Sequence, residues 1–157
     1  MRTRGAAALL LLLALTACSG GNNDDEPSSG RTTDADCAER IPNDVFDTLR
    51  WSPPKAAQIT VRGCHRETEQ GYVEVRDRTG DYDQLCQTLD RSGGVSPGQP
   101  ATWLTDVTAC AVEPQGGVGQ TKVLVKRSGD QVTQVIVAAV SSTRRSDVRA
   151  AVAELVD

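Results

Sequence analysis

The first seventeen residues restrict what the rest of the chain can fold into, because they carry the features of an export signal. Arg2 and Arg4 form a positively charged start, and residues 6–15 are an unbroken apolar run. This run is about half as long as a membrane-spanning helix requires, but it suits the hydrophobic region of a signal peptide. We therefore expect residues 1–17 to be removed and the remaining chain to fold outside the cytoplasm, where disulfides persist.

The sequence around the expected cleavage point predicts a lipid anchor. Signal peptidase selects small side chains at positions −3 and −1, but Leu15 occupies position −3 if cleavage follows Ala17. The residues Leu15-Thr16-Ala17-Cys18 resemble a bacterial lipobox, in which the cysteine thiol is diacylglycerated before cleavage makes it the N-terminal residue. We expect lipidation of Cys18; the alternative is a secreted protein with a free N-terminal cysteine.

Composition divides the mature chain into a tether and one domain. Residues 18–33 hold the anchor cysteine and a polar run that is too poor in apolar groups to fold. As a flexible chain, such a tether would span on the order of 20 Å. Residues 34–157 are long enough to bury the core of a single domain.

Four cysteines lie within this domain, at positions 37, 64, 86 and 110. An even number in an exported chain predicts two disulfides, for which three connectivities exist. The alternative is a zinc site, but no Cys-x-x-Cys spacing occurs and the chain contains one histidine. We expect no metal and no cofactor.

A weak internal repeat favours one of the three connectivities. The segment from Val73 to Asp81 resembles the segment from Val123 to Asp130, and each follows a cysteine at a similar distance. Chance recurrence of valine alternation and a Gly-Asp turn is the alternative explanation. If the repeat is real, it pairs Cys37 with Cys64 and Cys86 with Cys110.

Hydrophobic periodicity predicts a mixed fold. Helical spacing covers residues 36–51 and a second segment from Asp81 to Leu89 or Arg91. It also covers a C-terminal segment that is capped by Thr143 or Ser146 and buries Val148, Ala151, Val152 and Leu155. Alternation predicts strands over residues 58–64, 72–78, 103–112, 122–126 and 131–140. The last strand is apolar on both faces from Val135 to Val140, which indicates a central position. We expect an α+β fold, an antiparallel sheet with two or three helices, stapled by two disulfides.

Motifs for catalysis or nucleotide binding are weak. The glycine-rich segment 116–122 leads into a strand and lacks the Lys-Ser/Thr order of a phosphate-binding loop, so we interpret it as a strand connection. His65 is the single histidine, and no nucleophile motif accompanies it. We interpret His65 as a surface residue, Glu74 and Arg76 as the solvated face of a strand, and Trp51 and Trp103 as core or rim anchors rather than a ligand groove.

Charge argues against a nucleic-acid partner. Loss of Arg2 and Arg4 with the leader takes the formal net charge from −4 to −6, and the basic residues are scattered. The chain has fourteen arginines against three lysines, a bias that is typical of high-GC coding sequences and favours an actinobacterial source.

The run Cys37-Ala-Glu-Arg-Ile-Pro-Asn-Asp-Val-Phe-Asp-Thr-Leu-Arg-Trp51, followed by Gly63-Cys64 and Cys110, resembles small actinobacterial lipoproteins of unknown function. The resemblance implies a lipobox, a polar tether and an α+β domain with paired cysteines and a C-terminal helix. These families often carry a further cysteine before the last helix, where this chain has Arg144-Arg145-Ser146. They supply no catalytic residues.

Together these features predict a lipid-anchored protein on the extracytoplasmic face of the cell membrane. The absence of nucleophile, metal and cofactor motifs favours a non-catalytic binding module for an envelope protein, lipid or cell-wall partner. The alternatives are an envelope enzyme, which would have to use His65 for histidine-dependent catalysis, and a lipid carrier with an apolar cavity.

Overall fold

The structure is a computed structural model that describes residues 33–61, 63–89 and 97–157; the lipidation predicted at Cys18 and most of the predicted tether lie outside these residues. Seven strands of the described residues form one antiparallel sheet: β1 (Gln58–Thr60), β2 (Gly63–Glu67), β3 (Gly71–Thr79), β4 (Gln99–Pro100), β5 (Ala109–Val112), β6 (Gly119–Lys126) and β7 (Gln131–Ala139). Their order across the sheet is β1-β2-β3-β7-β6-β5-β4. The same residues form the helices α1 (Asp34–Arg40), α2 (Asn43–Leu49), α3 (Tyr82–Gln87) and α4 (Arg145–Val156).

This architecture confirms the predicted α+β fold with an antiparallel sheet and two disulfides. The described residues form four helices because the predicted helix over residues 36–51 is divided into α1 and α2. Pro42 lies between them, in an extended conformation, and precedes the first residue of α2. A proline has no backbone N–H to continue the hydrogen bonds of α1, so the first helix ends before it. None of the helices in the described residues is long and apolar enough to cross a membrane.

The strand predicted over residues 58–64 is also divided. It ends at Thr60, the chain turns, and β2 begins at Gly63, which places Cys64 in the second strand. Gly63 has a φ of 139°, and a Cβ at this position would lie 2.4 Å from the carbonyl oxygen of Val75. A glycine is therefore required where the turn enters β2.

The hairpin predicted over residues 122–140 is confirmed, and its second strand β7 occupies the centre of the sheet between β3 and β6. Val135 and Val137 face the larger hydrophobic cluster, which also contains the buried residues of α1, α2 and α4. Val132 faces a smaller cluster with Cys86 and Leu89 on the opposite face. Helices therefore cover both faces of β7, but α3 covers its face only at one end of the strand.

The two disulfides join Cys37 to Cys64 and Cys86 to Cys110, which confirms the predicted pairing. The first bond links α1 to β2, and the second links α3 to β5. β2 and β5 occupy corresponding places in the sheet, because each is separated from β7 by one strand. Each half of the sheet thus has one helix fastened to its second strand, and the two helices lie on opposite faces.

The sequence repeat that suggested this pairing is one residue out of register with it. Cys64 pairs with Val75 across the sheet, whereas Cys110 pairs with Leu124. The disulfides therefore relate Val75 to Leu124, but the repeat aligned Val75 with Val125. Val75 and Val125 lie in the same hydrophobic cluster, whereas the two disulfides lie on different faces.

The C-terminal helix is confirmed, but neither predicted N-cap is correct. Helix α4 begins at Arg145 and is preceded by Arg144, which makes no side-chain capping hydrogen bond. The hydroxyl of Thr143 instead accepts a hydrogen bond from the indole N–H of Trp51 at 3.1 Å. The buried stripe of the helix is Val148, Ala151, Val152 and Val156, with Leu155 partly buried beside it.

Candidate functional site

Polar and aromatic side chains gather on the sheet face opposite the main hydrophobic cluster. Val73 and Val75 of β3 belong to that cluster, so the alternate residues of the strand project from the other face. Strand pairing places residues of β2 beside them, and residues of β6 beyond β7, on the same face. We define the polar face as His65, Tyr72, Glu74, Arg76 and Gln120.

An aromatic pair forms one side of the polar face. The rings of His65 and Tyr72 lie with their centroids 5.0 Å apart, on diagonal positions of neighbouring strands. The phenol oxygen of Tyr72 accepts a hydrogen bond of 2.9 Å from the Gln120 side-chain amide. The Tyr72 side chain is therefore held between His65 of β2 and Gln120 of β6.

An ion pair of Lys55 and Glu67 borders this aromatic pair. Glu67 Oε2 lies 3.9 Å from His65 Nε2, and its other oxygen accepts a hydrogen bond of 2.8 Å from Lys55 Nζ. That hydrogen bond, and then the positive charge of Lys55, lowers the pKa of the Glu67 carboxyl below its ordinary value. The carboxylate of Glu67 is thus engaged by Lys55, and its distance from His65 is too long for a hydrogen bond.

Glu74 and Arg76 are the unusual members of the polar face. Glu74 is 7% exposed, and its Oε1 lies 3.7 Å from Arg76 Nη1. Glu74 Oε1 and Arg76 Nε are both buried and have no hydrogen-bond partner among the described residues. An unsatisfied buried acceptor and donor each carry a free-energy cost of about 1–3 kcal/mol. The Arg76 side chain is 22% exposed, and its movement would let a bound group donate a hydrogen bond to Glu74 and accept one from Arg76.

Two small or aliphatic residues of β7 form the floor between these side chains. Ile136 pairs with Glu74 on one side and Lys122 on the other, and Ala138 pairs with Tyr72 and Gln120 in the same manner. Ile136 and Ala138 are each 5% exposed, yet neither belongs to the hydrophobic clusters of the described residues. The centre of the polar face is therefore an apolar strip bordered by hydrogen-bonding groups.

Four cavities along the described residues lie away from the polar face. A partly open space of about 20 Å³ beside α4 and the glycine-rich segment has room for about one water molecule. Open depressions of about 260–360 Å³ lie near Arg145, Tyr82 and Arg40. Ligand pockets that enclose small molecules are deep as well as large, and these depressions are shallow.

The structure brings only some of the residues noted in the sequence into this site. His65 lies on the polar face, whereas Trp51 is buried in the main cluster and Trp103 packs at its rim under the guanidinium of Arg149. Residues 116–118 belong to the connection between β5 and β6, as predicted, and the rest of the segment 116–122 is the start of β6. Within the described residues, no group of three His, Cys, Asp or Glu side chains is placed to hold a metal ion.

Sequence reasoning missed Glu74 and Arg76, which were interpreted as a solvated strand face. That interpretation is wrong for Glu74, which is buried because the face lies in the middle of a seven-stranded sheet. The usable signal was the alternation of Tyr72, Glu74 and Arg76 beside His65, which places four chemistry-bearing side chains together once the strands pair.

No family model, no curated protein and no solved structure matches this chain.

Proposed function

We propose that this protein is a lipid-anchored, extracytoplasmic binding module of the bacterial cell envelope, and that it holds its partner on the polar face. The observation that carries this proposal is the pair of buried, unsatisfied atoms, Glu74 Oε1 and Arg76 Nε, next to the tilted ring pair of His65 and Tyr72. The disulfides are compatible with an extracytoplasmic domain, and the lipobox supplies the anchor.

The chemistry of the polar face defines the kind of group that it would bind. A group that donates a hydrogen bond to Glu74 and accepts one from Arg76 satisfies both buried atoms. The half-buried aromatic pair offers contact area beside these polar atoms, whereas Ile136 and Ala138 are buried beneath it. The arrangement suits a neutral partner surface with amide or hydroxyl groups, as a protein segment or a cell-wall glycopeptide presents.

The envelope enzyme remains the second candidate, because His65 lies near two carboxylates. Glu67 is 3.9 Å from its imidazole, and Glu74 pairs with it across the strands. Against an enzyme, the face is an open sheet surface, and catalysis generally requires a site that excludes water. A carrier of acyl chains is less well supported, because the depressions near Arg145, Tyr82 and Arg40 are open and shallow.

Neutralising either Glu74 or Arg76 should weaken binding to the envelope. We expect Glu74→Gln and Arg76→Gln to reduce retention of the mature protein on isolated cell walls or on solubilised membrane proteins by about tenfold or more, because hydrogen bonds to charged groups contribute about 1.5–3 kcal/mol. Sedimentation measures retention on isolated cell walls. Site-specific cross-linking from position 120 measures binding to solubilised membrane proteins. Glu69→Gln, an exposed carboxylate in the turn before β3, is the matched control and should bind normally.

His65→Gln separates the binding module from the enzyme. For a binding module, we expect this variant to change retention by less than tenfold, since Gln keeps a hydrogen-bonding side chain. For a histidine-dependent enzyme, hydrolytic activity of the purified protein would fall by about 10²–10⁴-fold with the melting temperature unchanged. The proposal fails if such an activity is found, or if Glu74→Gln and Arg76→Gln bind as well as Glu69→Gln does.

The anchor has its own test. Changing Cys18 to Ala should move the protein from the membrane fraction to the soluble extracytoplasmic fraction, because anchoring by two or more acyl chains is stable and the variant has none. Fractionation with mass spectrometry of the intact protein measures both location and lipid mass. A Cys18→Ala chain that stays in the membrane fraction with the mass of the unaltered protein would refute the lipobox interpretation.

A further inference from the structure

Two exposed aliphatic side chains lie together at the turn between β1 and β2. Val61 is fully exposed at 106%, and Ile59, two residues earlier, is 45% exposed. Ile59 and Val61 line the same open depression of the surface, so the two form one small apolar tip. Single exposed valines are ordinary, whereas two adjoining exposed aliphatic side chains form a patch that another apolar surface could cover.

This turn lies where the chain enters the domain. The backbone N–H of Ile59 donates a hydrogen bond of 3.2 Å to the carboxylate of Asp34, the first residue of α1. Thr33, the N-cap of α1, is the first described residue. The segment that leads back to Cys18 therefore joins the domain beside the edge strand β1.

The length of that segment limits how far the turn can be from the anchor. Fifteen residue positions separate Cys18 from Thr33, and a fully extended chain of that length spans about 50 Å. A short link of this kind holds the domain at a millimolar effective concentration next to the surface that it is tied to. An apolar tip that would bind a bilayer weakly by itself is then in contact for much of the time.

We propose that the β1–β2 turn is a membrane-contact site, in which Val61 and Ile59 insert into the interface of the bilayer that holds the lipid on Cys18. This inference rests on the lipid anchor of the proposed function. The bilayer is the favoured partner because it is the apolar surface next to which the anchor places this turn. The contact fixes the orientation of the domain, which a polar tether alone would leave undefined.

The opposite end of the sheet supplies matched controls. Val118 is 55% exposed and Val140 is 67% exposed, and both lie at the end of the sheet where Gly71, Ala139 and Gly119 are paired. The β1–β2 turn lies toward the other end, near the strand residues that follow Val75. The five residue steps from Gly71 to Arg76 span about 16 Å along β3, and three strand spacings separate β2 from β6, so position 118 should remain in water when position 61 touches lipid.

The experiment places a solvatochromic noncanonical amino acid at position 61 or 118 of the full-length lipidated chain. The proteins are reconstituted into vesicles of phosphatidylcholine and phosphatidylglycerol, with and without brominated lipid. We expect a blue shift and at least twofold quenching by brominated lipid at position 61, and neither at position 118. With the probe at position 59, Val61→Asp should abolish the response, whereas Val118→Asp should leave it unchanged.

Flotation of the same vesicles distinguishes failure of the membrane-contact site from failure of the lipid anchor. If the chain floats with the vesicles and position 61 gives the signal of a water-exposed probe, the membrane-contact site is refuted and the anchor stands. Equal responses at positions 61 and 118 also refute the site, because the contact would then be non-specific. If the chain carries no lipid and does not float, both the anchor and the contact that depends on it are wrong.

Discussion

Replacing Val135 with Asp should unfold the domain. Val135 is fully buried in the central strand β7, where it pairs with Val75 on one side and Val123 on the other. Each of these neighbours is at most 1% exposed, so a carboxylate at this position would meet only apolar side chains. Burial of an unpaired polar group in such a place costs about 4 kcal/mol or more, a large part of the 5–15 kcal/mol that typically stabilises a domain.

A substitution a few residues further along tests the specificity of this effect. Val140 follows β7, is 67% exposed, and engages its backbone N–H with the carbonyl of Gln70. The Val140→Asp variant introduces the same chemical change and should alter the free energy of unfolding by less than about 0.5 kcal/mol. Circular dichroism during urea unfolding measures both variants. Equal stability of Val135→Asp and Val140→Asp would contradict the assignment of β7 as the buried centre of the sheet.

The central hairpin was predictable because several local signals agree there. Gln131 to Val140 is a long β-branched run, and the turn at Arg127 to Asp130 separates it from an alternating partner. Apolar residues on both faces require cover on both sides, which only an interior strand receives. The final helix was predictable for a similar reason, since its apolar stripe recurs at helical spacing.

The wrong predictions concern places where one residue decides the backbone. Pro42 divides a segment whose apolar residues continue with helical spacing on both sides, so periodicity alone does not show the break. Gly63 ends a turn inside a segment that alternates like a single strand. At Thr143, a side chain suited to capping is engaged by Trp51, ninety-two residues earlier in the chain. Such a contact exists only in the folded chain.

The polar face could be predicted only in part. His65 is conspicuous as the single histidine, but its neighbours on the face come from β3 and β6, which are far apart in sequence. Glu74 alternates with apolar residues, a pattern that is typical of a solvated strand face. Its burial depends on the width of the sheet and on the pairing of Glu74 with His65 and Ile136. Pairing register is a tertiary property that a single sequence does not fix.

Removing the disulfide between Cys37 and Cys64 should cost the domain about 3–4 kcal/mol. The bond spans a sequence separation of 27 residues, and closing a loop of that size reduces the entropy of the unfolded chain by about this amount. Cys37 and Cys64 are also buried in the main hydrophobic cluster, so the Cys37→Ala/Cys64→Ala variant leaves unfilled space there. Thermal or urea unfolding of this double variant gives the difference directly.

The second disulfide is the matched comparison, because loop length predicts the same loss of stability as for the first bond and packing predicts a smaller one. The bond from Cys86 to Cys110 spans 24 residues, so chain entropy predicts a nearly equal loss for its double-alanine variant. Cys86 is 8% exposed and belongs to the smaller cluster, so its removal leaves less unfilled space than removal of Cys37. We therefore expect the first variant to be the less stable of the two. Equal losses would assign the stabilisation to the unfolded chain alone, and a larger loss for the second variant would contradict the packing argument.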